Sequence, residues 1–174
     1  MIELLKSRCG FVAVLGAPNA GKSTLINELV GAKVSIVTHK VQTTRIRIMG
    51  IAKKDESQVV FIDTPGIFEP RRRLDRAMVE AAWRGANDAD RIMLVVDAKR
   101  GMDRDTARIV TGLGKSKRTA VLVLNKIDLV ARKDLLELAA EFNASGNFDE
   151  TFMISALKNT KKEKKILESL VILV

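Results

Sequence analysis

The sequence predicts an α/β fold with an open, mostly parallel six-stranded sheet, one antiparallel edge strand and helices on both faces. Four short apolar runs are nearly continuous, which is typical of parallel strands covered on both faces. They lie at residues 11–15, 59–62, 92–96 and 121–124. Stretches with helical spacing alternate with them, at residues 22–30, 74–85 and 135–142. This alternation favours right-handed crossovers within one layered α/β domain.

The two remaining strands are predicted from weaker patterns. Residues 45–52 alternate apolar and polar side chains, as a less buried edge strand does, and the polar segment 53–57 follows them. We therefore expect an antiparallel hairpin that joins residues 45–52 to the strand at 59–62. A sixth strand is expected at residues 151–154. Ligands in such sheets bind beyond the carboxyl ends of the strands, so the residues that follow each run are the candidate site.

Composition restricts the class of protein. The chain has 174 residues, of which 47% are hydrophobic and 29% charged, so residues 1–174 are expected to form a single domain. No apolar run approaches the roughly 18 residues of a membrane span, and the first residues lack a secretory signal pattern. One cysteine and one histidine, Cys9 and His39, exclude a disulfide framework and a His-rich or multi-cysteine metal centre. The net charge of +9 favours a phosphate-bearing or acidic partner.

A full match to the phosphate-binding pattern G-x-x-x-x-G-K-S/T follows the first apolar run. Its glycines allow the backbone to turn its amides inward, and the helix that follows adds the positive end of its dipole. Lys22 can then reach the β and γ phosphates of a nucleotide, while the Ser23 hydroxyl can ligate Mg²⁺. This phosphate loop, residues 16–23, with the next residue Thr24, consists of Gly16, Ala17, Pro18, Asn19, Ala20, Gly21, Lys22, Ser23 and Thr24.

The alternative interpretation of this segment is a glycine-rich turn between a strand and a helix, with a capping serine. The strand before it and the helix after it favour the phosphate site. A similar tripeptide at Gly114-Lys115-Ser116 is rejected, because Ile109 occupies the position of the first glycine and a strand follows it.

A D-x-x-G segment, Asp63 to Gly66, follows the run at 59–62. The Asp63 carboxylate can hold Mg²⁺ through a water molecule, and the Gly66 amide can sense a γ-phosphate. The pattern alone has little weight, since average composition produces about one such match by chance in a chain of this size. Its position at a strand end, after a phosphate loop, gives it weight.

The most informative segment is Asn125-Lys126-Ile127-Asp128, the base loop, which follows the run at 121–124. The Asp128 carboxylate can accept both the N1–H and the 2-amino group of guanine, whereas adenine offers neither donor there. Such polar pairing can discriminate by roughly 10⁴–10⁵-fold. Asn125 can brace the loop and contact the base, and the Lys126 stem can lie along the ring. The alternative is a capped turn, with Asp128 near the start of the next helix.

A weaker segment, Ser155-Ala156-Leu157, follows the sixth strand and can bring a backbone amide near the guanine O6. In this order, the segments GAPNAGKS, QTTR, DTPG, NKID and SAL resemble a GTPase domain of the translation-factor class, and more closely the Era family of ribosome-assembly GTPases. The resemblance implies a P-loop NTPase fold of the small-GTPase type, bound GTP or GDP, and Mg²⁺.

The resemblance also implies roles for residues that the pattern of the sequence leaves unassigned. Residues 34–45 are similar to the first switch region of that family, so Thr44, or in the alternative Thr43, would close onto Mg²⁺ and the γ-phosphate. Lys22, Thr44 and Gly66 would then be the catalytic residues. Ile67 stands where many GTPases have a glutamine that orients water, which implies slow intrinsic hydrolysis. Asn19 is similar to the asparagine that coordinates K⁺ in related GTPases, and K⁺ is a hypothesis here.

Partners are implied by the resemblance as well. Era proteins carry a C-terminal KH domain that binds small-subunit ribosomal RNA, and residues 1–174 contain no similar pattern, so an isolated GTPase domain without a KH domain is expected. The implied partners are guanine nucleotide and, mainly through the KH domain, the small ribosomal subunit and its RNA. The implied location is the cytoplasm, with peripheral association at the inner face of the membrane.

The alternative function is a non-enzymatic, nucleotide-bound module that docks on RNA or the ribosome. The base loop opposes a third interpretation, an ATP-dependent kinase or ATPase.

Overall fold

A computed structural model describes residues 9–31, 47–64, 73–145, 147–158 and 163–173 of the chain. Its strands are Cys9–Leu15 (β1), Arg47–Lys54 (β2), Ser57–Asp63 (β3), Arg91–Asp97 (β4), Ala120–Asn125 (β5) and Phe148–Met153 (β6). Its helices are Lys22–Val30 (α1), Arg73–Asp88 (α2), Arg104–Ser116 (α3), Arg132–Ala144 (α4) and Glu163–Leu173 (α5).

Within these residues the strands form a six-stranded sheet in the order β2-β3-β1-β4-β5-β6. Only the β2–β3 pair is antiparallel; β1 pairs in parallel with β3 and β4, and β5 with β4 and β6. The predicted fold class is therefore confirmed. The parallel arrangement brings the ends of β1, β3, β4, β5 and β6 to one edge of the sheet, where the phosphate and base loops begin.

The core consists of two apolar layers, one on each face of the sheet. Successive residues of β1 serve opposite layers, since Ala13 and Leu15 pack on one side and Val12 and Val14 on the other. The first layer holds buried side chains of α3 and α4, and the second those of α1 and α5. Every residue of β5 is buried, and residues 120–124 are all apolar, as expected of a strand covered on both faces.

The hairpin is confirmed, with a tighter turn than predicted. β2 and β3 extend into the polar segment at 53–57, so that Asp55 and Glu56 alone form the turn. Residues 45 and 46 of the predicted strand lie outside the described residues. The sixth strand begins three residues earlier than predicted, at Phe148, and ends at Met153. Its charged start is compatible with a strand because Arg91 of β4 forms an ion pair with Asp149.

The largest omission of the sequence-based prediction is α3, whose last turn contains the rejected Gly114-Lys115-Ser116 tripeptide. Two glycines lower its helix propensity and obscure its apolar face. The helix is nevertheless well defined: the Asp103 carboxylate caps it by accepting a hydrogen bond from the Thr106 amide at 2.8 Å. Its buried face includes Ile109 and Leu113.

In the part of the chain that the structure describes, none of the helices has the length and hydropathy of a membrane span.

The contact between α2 and α3 depends on a glycine. The ring of Trp83, half-buried on α2, lies against Gly112 so closely that an added Cβ would stand 2.1 Å from ring atom Cζ2. A Cβ added at Gly114, two residues later on α3, would stand 3.5 Å from the nearest atom, Oδ1 of Asn147, which is an ordinary contact.

We predict that Gly112→Ala lowers the free energy of unfolding by about 1–3 kcal/mol, because the ring or the helix must shift to admit the methyl group. Gly114→Ala is the matched control, and it should leave stability unchanged or raise it by up to about 1 kcal/mol. Urea denaturation of both variants measures the difference. Equal stability of the two variants would contradict the packing described here.

Candidate functional site

The phosphate loop connects β1 to α1, and two of its positions accept only glycine. At Gly16 the backbone has φ +153° and an added Cβ would lie 2.4 Å from the Val95 carbonyl oxygen. At Gly21 φ is +93°, and an added Cβ would lie 2.3 Å from Nδ2 of Asn125. The two glycines of the motif are thus required by close contacts to β4 and to the base loop, as well as by backbone conformation.

The Lys22 ammonium lies over the start of the loop. Its Nζ donates hydrogen bonds to the carbonyl oxygens of Gly16 at 2.8 Å and Ala17 at 3.0 Å. Ser23 is exposed and Thr24 half-buried in the first turn of α1. The positive end of the helix dipole and a fixed ammonium therefore converge on one short loop, which is an arrangement suited to phosphate.

Asn125 joins the phosphate loop to the base loop and to the segment after β6. Its side chain is 2% exposed, and Nδ2 donates to the Ala20 carbonyl at 3.0 Å. Its Oδ1 accepts the amides of Lys126 at 2.8 Å and Ala156 at 3.0 Å. Asn125 therefore braces the loops, as predicted. The Ala156 amide, which belongs to the segment expected near the guanine O6, donates its hydrogen bond to Asn125 in this structure.

Lys126 makes a second connection between the loops. Its backbone has φ +62°, and its Nζ donates to the Asn19 carbonyl at 2.7 Å and to Oδ2 of Asp97 at 2.6 Å. Asn19 itself has φ +63° and is exposed, as is Pro18. The ammonium thus lies between the phosphate loop and the end of β4.

Asp128 lies in a single 3-10 turn, Ile127–Leu129, shortly before the next helix, so its backbone position is compatible with both the base loop and the alternative of a turn near the start of that helix. The α4 helix begins four residues later, at Arg132, because the chain first pairs with the segment after β6: the Ile127 amide donates to the Ile154 carbonyl at 3.2 Å.

The Asp128 carboxylate is held in its ionised form. The side-chain hydrogen bond from Ser155 is the main cause that lowers its pKa below the ordinary value, and Lys158, whose Nζ is 3.4 Å away, lowers it further. Ser155 is buried, which fixes its hydroxyl, whereas Leu157 is 82% exposed. These contacts stabilise the ionised carboxylate, the form that accepts hydrogen bonds.

The proposed Mg²⁺ ligands are only partly described. The backbone of Asp63 ends β3 in register with Val14, two residues before the phosphate loop, and the buried Thr64 hydroxyl donates to the Val14 carbonyl at 2.6 Å. Thr43, Thr44, Gly66 and Ile67 lie outside the described residues. Ser23 offers the hydroxyl oxygen that a hard cation such as Mg²⁺ accepts. Among the described residues, no group of three or more His, Cys, Asp or Glu side chains could hold a metal ion.

Two residues at this edge were missed by the sequence-based prediction, Asp97 and Arg100. Asp97 directly follows the apolar run at 92–96, so the rule that directs attention to strand ends could have found it. Arg100 donates from Nη1 to the Pro18 carbonyl at 3.3 Å and pairs with Asp103 at 2.6 Å. No motif marks Arg100, because its partner is a backbone carbonyl.

The sheet, the phosphate loop and the base loop define the class of P-loop GTPases. The chain belongs to the family described as 50S ribosome-binding GTPase, whose sequence model matches residues 11–126. It is 64% identical over 151 residues to GTPase Era of Sinorhizobium medicae, a match that covers 87% of this chain and 49% of the relative. The chain thus spans about half the length of the curated relatives it matches.

Solved structures of Era are similar to this chain as well. A variant of Era from Aquifex aeolicus bound to GDP·AlF4⁻ is 36% identical, with a TM-score of 0.77 over 95% of this chain and 57% of that chain. Era in complex with MgGDPNP and nucleotides 1506–1542 of 16S ribosomal RNA is also 36% identical, with a TM-score of 0.78. That match covers 95% of this chain and 56% of the Era chain. The resemblance to the Era family is therefore confirmed.

We predict that Ser155→Ala raises the pKa of Asp128 toward its ordinary value of 3.8, because it removes the main hydrogen bond to the ionised form. In the wild-type protein the ionised carboxylate stabilises the fold above the unfolded-state pKa. That contribution is lost only as the pH falls through the lower folded-state value.

Carboxyl ¹³C NMR titration measures this shift. Lys158→Ala is the comparison variant, and its effect should be smaller, since the Lys158 side chain is 67% exposed. An Asp128 pKa that Ser155→Ala leaves unchanged would contradict the assignment.

Proposed function

We propose that this chain is a GTP-binding and GTP-hydrolysing switch that acts in the assembly of the small ribosomal subunit. The observation that carries the proposal is the connection of the two loops. Asn125 and Lys126 bind the carbonyls of Ala20 and Asn19, so the base loop and the phosphate loop are built as one unit. A ligand with a guanine at one end and phosphates at the other matches that unit.

Guanine specificity is assigned to Asp128. Its carboxylate would accept the N1–H and the 2-amino group of guanine, and the Ser155 hydrogen bond that lowers its pKa supports this acceptor role. An adenine base would leave the carboxylate without donors, which disfavours the ATP-dependent alternative. The solved Era structures contain GDP·AlF4⁻ and MgGDPNP, which supports a guanine nucleotide and Mg²⁺ as ligands here.

We assign the binding and transfer of phosphate to the phosphate loop and to residues of the two predicted switch segments. Lys22 would bind the β and γ phosphates, Ser23, Thr44 and Asp63 would hold Mg²⁺, and the Gly66 amide would contact the γ-phosphate. When bound, Mg²⁺ neutralises charge that develops on the transferred phosphoryl group. Ile67 has no polar group with which to orient water, so we expect slow hydrolysis without a partner. Loss of the γ-phosphate would release the switch segments.

The ribosomal role is supported by the relatives. Era has been solved with 16S ribosomal RNA, and the net charge of +9 is suited to a polyanionic partner. The cytoplasm, with peripheral association at the membrane, belongs to the same proposal and is supported by the resemblance to Era. The alternative, a nucleotide-bound docking module without hydrolysis, is favoured by the same basic charge.

A potassium ion at Asn19 is a further part of the proposal. Asn19 is exposed in the phosphate loop, and its carbonyl already faces the Lys126 ammonium, which leaves its side-chain amide oxygen as the available ligand. K⁺ there would supply positive charge in the transition state. Equal hydrolysis rates in matched potassium and sodium salts would refute this part alone.

We predict that Lys22→Ala lowers kcat/KM for GTP hydrolysis by about 10²–10³-fold, because a cation that stabilises the transferred phosphoryl group is lost. Lys115→Ala, in the similar but rejected tripeptide on α3, is the control and should leave hydrolysis unchanged. Phosphate release is measured with and without small ribosomal subunits. Release that Lys22→Ala does not alter would refute the phosphate assignment, and no release from the wild-type chain in either condition would favour the docking alternative.

We predict that Asp128→Asn weakens GTP binding by about 100-fold or more and makes xanthosine triphosphate the better ligand, because its 2-oxo group accepts from the introduced amide. Competition against a fluorescent nucleotide measures both affinities. Asp55→Asn, in the β2–β3 turn, is the control and should keep the wild-type preference. Strict GTP selectivity retained by Asp128→Asn would contradict the base assignment.

A further inference from the structure

Asp97 is held in one orientation at the end of β4. Its backbone is in register with Asn125 of β5, and the Ala98 amide donates to the Asn125 carbonyl at 2.8 Å. Its side chain is 12% exposed, and Oδ1 accepts the Lys99 amide at 3.0 Å. The second oxygen, Oδ2, is thereby directed at the Lys126 ammonium, 2.6 Å away.

The Lys126 ammonium needs such a partner to have a fixed position. A lysine side chain has a flexible four-carbon stem and three donors that rotate freely. Lys126 is fixed at its base by the bond from its amide to Asn125, and among the described residues its far end contacts Asp97 and the Asn19 carbonyl. Without the charge of Asp97, the ammonium would keep the neutral Asn19 carbonyl as a partner, and water would compete with that single hydrogen bond.

The Asn19 and Pro18 carbonyls of the phosphate loop both accept from cations that lie outside the loop. Asn19 faces Lys126, and Pro18 faces Arg100. In a trans peptide the carbonyl and the next amide point in opposite directions, so the Ala20 amide, which follows the Asn19 carbonyl, points away from Lys126. That amide donates to the Ala17 carbonyl at 3.3 Å and closes a turn within the phosphate loop. The contact of the Lys126 ammonium with the Asn19 carbonyl therefore favours the peptide orientation that closes this turn of the phosphate loop.

We propose that Asp97 is a positioning residue for nucleotide binding: it sets the Lys126 ammonium against the Asn19 carbonyl and so keeps the phosphate loop in its binding conformation. The inference rests on the proposed function for its ligand, and goes beyond it in assigning a role to a residue outside the motifs. The pair is only partly exposed, 12% for Asp97 and 27% for Lys126, and shares its cation with a backbone acceptor. An ion pair fully exposed to water would contribute little to the position of the ammonium.

The first test measures dissociation of fluorescent GDP from the 174-residue chain. Asp97→Asn should accelerate dissociation about tenfold, because a neutral amide holds the ammonium less strongly than a carboxylate does, and it should leave the preference for GTP over ATP unchanged. Asp134→Asn is the matched control; this exposed aspartate lies in the first turn of α4, at the same end of the molecule, and should have no effect. A wild-type rate in Asp97→Asn overturns the proposal.

The second test separates positioning from a general effect on folding. In a Lys126→Met background, which keeps the stem and removes the charge, Asp97→Asn should change GDP dissociation less than twofold, because the group it positions is gone. A tenfold acceleration that persists in that background would mean that Asp97 acts independently of Lys126, and the proposal would be wrong.

The third test requires no nucleotide. Hydrogen exchange of the amides of residues 16–24 in the nucleotide-free protein should be faster in Asp97→Asn than in wild type, and unchanged in Asp134→Asn. Unaltered exchange in Asp97→Asn overturns the proposal. If the wild-type chain binds no guanine nucleotide, the proposed function fails, while this exchange measurement still decides the role of Asp97 in the loop.

Discussion

The close approach of Gly21 to the Asn125 side chain is the constraint on which the rest of the site depends. The Asn125 amide occupies the space that any other side chain at position 21 would fill. In that space it satisfies three backbone groups from three segments, at Ala20, Lys126 and Ala156. A buried amide with these partners is costly to move, since each group it left would be unpaired. This side chain is therefore the buried connection between the phosphate and base loops, to which Lys126 adds a second one nearer the surface.

Basic side chains also fix the backbone of the phosphate loop at this edge of the sheet. The three cations with described partners at the phosphate loop, Lys22, Lys126 and Arg100, all donate to carbonyl oxygens of residues 16–19. Part of the basic excess of the chain is therefore used to fix backbone conformation, so net charge alone is a poor measure of affinity for a polyanion. Asp97 and Asp103 anchor two of these cations at the end of β4 and the start of α3.

The sequence predicts most of the fold, because buried parallel strands leave uninterrupted apolar runs and the loops carry patterns that phosphate and guanine impose. The helix α3 escaped prediction because Gly112 serves the packing of Trp83 rather than helix propensity. Asp97 stands at a strand end, which points to the site, but its role could not be predicted because its partner is a lysine distant in sequence. Arg100 escaped because its partner is a backbone carbonyl, a contact that produces no local motif. The role of the Ala156 amide likewise depends on a tertiary hydrogen bond that no pattern of residues reveals.

The contact between Trp83 and Gly112 has a spectroscopic consequence. The chain contains a single tryptophan and no tyrosine, so its near-ultraviolet emission comes from one indole. That indole belongs to α2, the helix that follows the D-x-x-G segment, and it rests on the backbone of α3. A change in the packing of α2 on α3 therefore alters the surroundings of the only strong emitter in the molecule. The protein carries its own optical reporter for this helix interface, without a label.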